Sequence, residues 1–117
     1  MLCALDWCEL SNRSHMRWCA SLAEAAGTSA DRVVVNCMHP HCTPWPDEVA
    51  QGFVAPYPEL HQVMDSKWCD ETLAGVAAAL RSSEATTFTH IGIGEAEVKQ
   101  VASNRRILGE DGRIMAV

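Results

Sequence analysis

The chain has 117 residues, 9 of them basic and 15 acidic, for a formal charge of −6. That length fits one domain, read here as residues 1–117, and the acidic balance excludes a binder that works by neutralising nucleic-acid phosphates. At 48% hydrophobic and 21% charged it has a folded protein's composition rather than a disordered tail's, and no uncharged apolar run reaches the roughly 18 residues of a membrane span.

The opening Met1-Leu2-Cys3-Ala4-Leu5-Asp6 has no basic stretch and meets a carboxylate at once, so it does not read as a signal peptide. Leu2 to Trp7 reads as a short strand with Asp6 near its end, where α/β folds place polar chemistry. Asn12 to Ala26 reads as a helix, with Met16, Cys19, Ala20 and Ala23 at helical spacing. Ser11 or Asn12 is its cap, and Gly27 supplies the left-handed residue that ends it. Arg32 to Cys37 is β-branched and apolar on both parities, which suits a strand covered on both faces. Strand, helix, strand is the βαβ order, so the two strands are expected to be parallel neighbours.

From about residue 38 to 59 the sequence turns irregular and holds all five prolines, Pro40, Pro44, Pro46, Pro56 and Pro58. A loop of that length usually binds something or is disordered. A second main helix is predicted from Leu60 or Met64 to Arg81, with Leu73, Val76, Ala77 and Leu80 as its stripe and Gly75 as a weak point. Thr86 to Ile93 and Glu95 to Val101 read as strands, the first ending in Gly92-Ile93-Gly94. That pair of glycines lacks the third glycine and the following helix of a phosphate loop, so it reads as a strand-end turn. Gly109 to Gly112 is a turn before a last strand, Arg113 to Val117, an apolar run without cap or polar tail that reads as a cut. The fold class is therefore α/β, a partial βαβ-type mixed sheet with two main helices.

Six cysteines (Cys3, Cys8, Cys19, Cys37, Cys42, Cys69) form the even set of a disulfide framework. None lies in a C-x-x-C pair and no export signal accompanies them, so buried free thiols are expected. His15, His61 and His90 stand alone in the sequence and read as surface or edge residues. The densest group of metal-capable side chains is Cys37-Met38-His39-Pro40-His41-Cys42. Pro40 disfavours helical dihedrals at His39. In an extended chain side chains two apart share a face, so His39 and His41 are expected to point the same way. Two imidazoles at a strand end make half of a zinc site. The other readings are a pH-sensitive pair at a loop entrance, two exposed loop histidines, or a local site completed by Cys37 and Cys42.

The order of motifs also carries a resemblance. Leu5-Asp6-Trp7-Cys8, Asn12-Arg13-Ser14-His15, Ala23-Glu24-Ala25-Ala26-Gly27-Thr28, Arg32-Val33-Val34-Val35, His39-Pro40-His41, Thr89-His90-Ile91-Gly92-Ile93-Gly94 and Val101-Ala102-Ser103-Asn104-Arg105-Arg106 follow one another along nearly the whole chain. This progression resembles the N-terminal catalytic domain of the neutral/alkaline non-lysosomal ceramidases, and more closely the bacterial ceramidase-like proteins of that superfamily. The resemblance implies a zinc-dependent amidohydrolase that cleaves the N-acyl bond of ceramide, or of a ceramide-like N-acyl amide. It assigns His39 as a zinc ligand, His41 as an active-site neighbour and Arg105 as a cation near the reacting carbonyl. Family members are often secreted. Where they continue Ser-Gly-Pro after the histidines, this chain reads Cys42-Thr43-Pro44. Their remaining zinc ligands (a further His, a Glu and a Tyr) and their active-site serine come from regions beyond residue 117. The expectation is thus a fragment of a ceramidase-like hydrolase, inactive alone. The alternatives are a non-catalytic interaction piece that needs a complementing chain, or a small Cys/His metal-binding protein.

Overall fold

The computed structural model describes residues 1–101 and 105–116. In chain order it holds β1 (Leu2–Leu5), α1 (Asn12–Ala25), a 3-10 turn (Ala30–Arg32), β2 (Val34–Cys37), α2 (Glu48–Val54), α3 (Ser66–Ser82), β3 (Ile107–Leu108) and β4 (Ile114–Ala116). Where the sequence reads as one domain, the chain packs as two compact units, Met1–Ala85 and Thr86–Val117. Each unit has a two-stranded sheet of its own, the first parallel and the second antiparallel. The class is mixed α/β as expected, with two small sheets in place of one partial mixed sheet.

In the first unit β1 and β2 are parallel, from Leu2 opposite Val34 to Leu5 opposite Cys37, and α1 makes the crossover. The helix ends as its sequence predicts. Gly27 takes φ +64°, the left-handed region that glycine enters without a Cβ clash, and Thr28 donates to the carbonyl of Ala23. Its start differs: Ser11 stands at the N-cap position but its side chain makes no capping bond. The Asn12 side chain turns outward to the carboxylate of Asp47.

The buried stripe of α1 is Ser14, Trp18, Cys19, Leu22 and Ala23, one step round from the predicted face, so Met16 and Ala20 lie exposed. The bulky indole of Trp18 and the near-complete burial of Leu22 decide that rotation, since they carry the largest apolar surface on the helix. Ser14 is tolerated in the core because its hydroxyl accepts the Glu48 amide, the first of α2. From α3, Leu73 joins the same core, with Val76 and Leu80 packed against it as the spacing predicts.

The two-sided burial expected of β2 is not found. Val33 and Val35 are buried, whereas Val34 is 54% exposed and Leu2 opposite it 84% exposed. The helices cover one face of the β1–β2 pair, and the other face lies open.

The segment predicted as one irregular loop over 38–59 contains α2. Asp47 caps it, one carboxylate oxygen accepting the amides of Val49 and Ala50. Pro46 and Pro56 flank the helix instead of interrupting it, so neither removes one of its hydrogen bonds. Arg17 on α1 then ties the helices together, donating to Glu48 of α2 at 2.5 Å and to Asp70 of α3. These two carboxylates, Asp70 first, push the Arg17 guanidinium still higher and keep it charged.

In the second unit, β3 and β4 form a hairpin closed by the predicted Gly109–Gly112 turn, with Gly112 at φ +75°. The strands predicted over 86–93 and 95–101 do not form, and their side chains are exposed throughout. β-Branched residues favour a strand only where a partner strand and a packed face receive them. Val117, Ser103 and Asn104 lie outside the described residues.

Candidate functional site

Two loops meet at the carboxyl ends of β1 and β2, the position at which parallel sheets gather ligands. One is the turn after β1, Asp6 to Glu9; the other follows β2 and carries His39 and His41. Backbone hydrogen bonds join them: Met38 donates to Leu5, His39 to Trp7 at 3.1 Å, and Cys8 to Pro44 at 2.9 Å.

His39 does not take the extended conformation predicted from Pro40. Its φ is +62°, which a residue with a Cβ enters at a cost of about 1–2 kcal/mol. Pro40 restricts His39 but does not dictate the sign of φ, and the bond to the Trp7 carbonyl selects the left-handed form. The two histidines nevertheless come together, by a turn and not by strand alternation. Their ring centres are 5.0 Å apart and their planes cross at 89°.

Nδ1 of His39 lies 2.8 Å from the carbonyl oxygen of Cys8. A carbonyl only accepts, so Nδ1 carries the proton and Nε2 keeps its lone pair. This is the arrangement in which a metal-binding histidine is usually held: one nitrogen donating to a backbone oxygen, the other available to the ion. Two imidazoles sharing a tetrahedral zinc through nitrogens about 2.0–2.1 Å from it have ring centres roughly 5 Å apart. His39 and His41 have that separation of ring centres, in an edge-to-face contact with both rings exposed.

The cysteines do not complete the site. Among the described residues no three His, Cys, Asp or Glu side chains gather closely enough to hold a metal ion, so Cys37, His39, His41 and Cys42 do not converge as a local four-ligand set. All six thiols are free, but only Cys19 and Cys69 are fully buried and Cys42 is exposed. Burial pushes the Cys37 thiol up, and the charges of Glu9, Cys8 and Cys3 push it further. A protonated thiol is a poor metal ligand. Cys8 Sγ lies 3.8 Å from Nδ1 of His39, on the nitrogen already engaged.

The remaining sequence candidates fall as follows. Asp6 is exposed at the end of β1. Arg105 is exposed in the second unit. His15 is an edge residue, as expected, but not an isolated one. Its Nε2 donates to the carbonyl of Val35 at 3.2 Å and its ring stands against the Cys19 thiol, covering the outer edge of β2. The residues sequence reasoning missed are Trp7 and Cys8, which serve the site through backbone carbonyls and so leave no side-chain signature. No family model, curated protein or solved structure matches the chain. Among the described residues no helix is long and apolar enough to cross a membrane.

Proposed function

We propose that this chain is part of a zinc-dependent amidohydrolase of the ceramidase-like kind, with His39 and His41 as half of its cation site. The observation that carries the reading is the 5.0 Å imidazole pair at the carboxyl ends of two parallel strands, with His39 fixed as the Nδ1–H tautomer. The collinear motifs supply the reaction class and the substrate class, an N-acyl amide such as ceramide. Zinc, when bound there, supplies a Lewis acid for the amide carbonyl or for water. His39 presents Nε2 to the ion, and His41 serves beside it as second donor or as the substrate-side polar group. For Arg105 the resemblance alone implies a role, stabilising a developing oxyanion as a guanidinium can in acyl transfer.

Two imidazoles fall short of the three protein ligands of a catalytic zinc. Turnover therefore requires further donors, and this chain alone binds zinc weakly and hydrolyses nothing. The open face of the β1–β2 pair favours one source for them, a complementing polypeptide that covers Leu2 and Val34.

Competition between the purified chain and a chromophoric chelator tests the reading. One zinc per chain is expected, with binding abolished in His39→Ala and weakened in His41→Ala. It should be unchanged in the double variant Cys37→Ser/Cys42→Ser. Zinc binding that survives both histidine changes and disappears with the cysteines would reverse the assignment, and so would rapid N-acyl amide hydrolysis by the chain alone.

A further inference from the structure

The Trp7 indole is buried between two helices, its ring centre 5.1 Å from that of Trp18 on α1 and 5.7 Å from that of Trp68 on α3. The first pair meets edge to face, at 76°. Aromatic pairs of this kind resist displacement because each ring loses both packing and a favourable quadrupole contact when it moves. The backbone beside this anchored ring carries the two carbonyls that hold His39. Trp7 O accepts the His39 amide, and Cys8 O accepts its Nδ1–H. His39 needs both bonds. Its φ of +62° is disfavoured and persists only where the surroundings over-determine it.

We propose that Trp7 is the positioning residue of His39. Its indole, locked against Trp18 and Trp68, holds the Trp7–Cys8 turn in place. The turn in turn keeps Nδ1 protonated and reserves the Nε2 lone pair for a divalent cation. The consequence for zinc rests on the reading of His39 as a donor; the consequence for the tautomer does not. The Cys8 side chain is not required, because the acceptor is its carbonyl.

Long-range proton–nitrogen correlation spectra of the nitrogen-labelled chain test this without metal. The pH is set near about 8.5, above the ordinary imidazole value of about 6.5. Native His39 is expected as the Nδ1–H form, the reverse of free histidine. Trp7→Leu is expected to shift it toward Nε2–H and to weaken zinc binding by about 10–100-fold. Leu80→Ala removes packing near the far end of α3; it lowers the melting temperature while leaving tautomer and affinity as they were. If Trp7→Leu does not fold, Trp68→Ala replaces it, a site 43% exposed and so tolerant of truncation, with a shift in the same direction expected. Retention of the native tautomer in whichever of these two folds overturns the proposal. A switch to Nε2–H in Cys8→Ala, which keeps the carbonyl, also overturns it. Should the native chain bind no zinc, the metal reading of His39 falls, while the tautomer comparison still decides the role of Trp7.

Discussion

At His39 a ring is held in one tautomer by a carbonyl 31 positions earlier, on a backbone that would rather be glycine. His39→Gly removes the ring and the strain together, whereas His39→Ala removes only the ring. The glycine variant is therefore expected to be the more stable of the two by about 1 kcal/mol, read from urea unfolding midpoints. An alanine variant more stable than the glycine one would mean that the left-handed backbone is not strained, since alanine then keeps only its advantage in unfolded-state entropy. The six cysteines give a second residue-scale test. Burial raises the thiols of Cys3, Cys37 and Cys69, with nearby negative charges adding to it. The folded chain thus keeps protons that unfolded thiols release near their ordinary value of about 8.5. Stability from these groups is whole below that pH and falls as pH rises above it. Urea midpoints measured from neutral to alkaline pH should decline past that point, and Cys37→Ala should flatten the decline; a midpoint that rises would contradict it. Of this detail, the sequence disclosed that His39 and His41 lie side by side but not how they are held. A positive φ depends on bonds from a distant loop, and backbone carbonyls look alike at every residue.

Although the buried face of α1 and the one-sided burial of β2 were not, the existence of β1, α1, β2 and α3 was legible from local pattern, most fully where burial agrees with it. Gly27 and the Leu73, Val76, Ala77, Leu80 stripe are examples. α2 was hidden because it is seven residues long and flanked by prolines, and its first amides are met by Asp47 and by Ser14 of a distant helix. Asp47→Ala should therefore cost about 1 kcal/mol in unfolding experiments, since it removes the acceptor of two helix amides and the partner of Asn12. No change would show that the Arg17 link from Glu48 to Asp70 suffices to hold α2. The strands expected over 86–101 illustrate the opposite failure, strong β propensity with nothing to pair against.

Considered as a whole molecule, every buried core side chain among the described residues belongs to the first unit. Hydrogen exchange should accordingly find its slow amides in β1, β2, α1 and α3, with residues 86–101 exchanging at the rate of an unfolded peptide. Slow amides in that stretch would reveal hydrogen-bonded structure there. The first unit sets a parallel pair of strands beneath two helices and brings two loops together at their carboxyl ends, so the fold itself delivers the imidazole pair. X-ray absorption on the zinc-loaded chain measures that pair directly. Two imidazole nitrogens at about 2.0 Å, with the rest of the shell light oxygen scatterers, is the predicted result. A sulfur shell at about 2.3 Å, or a spectrum unaltered in His39→Ala, would contradict it.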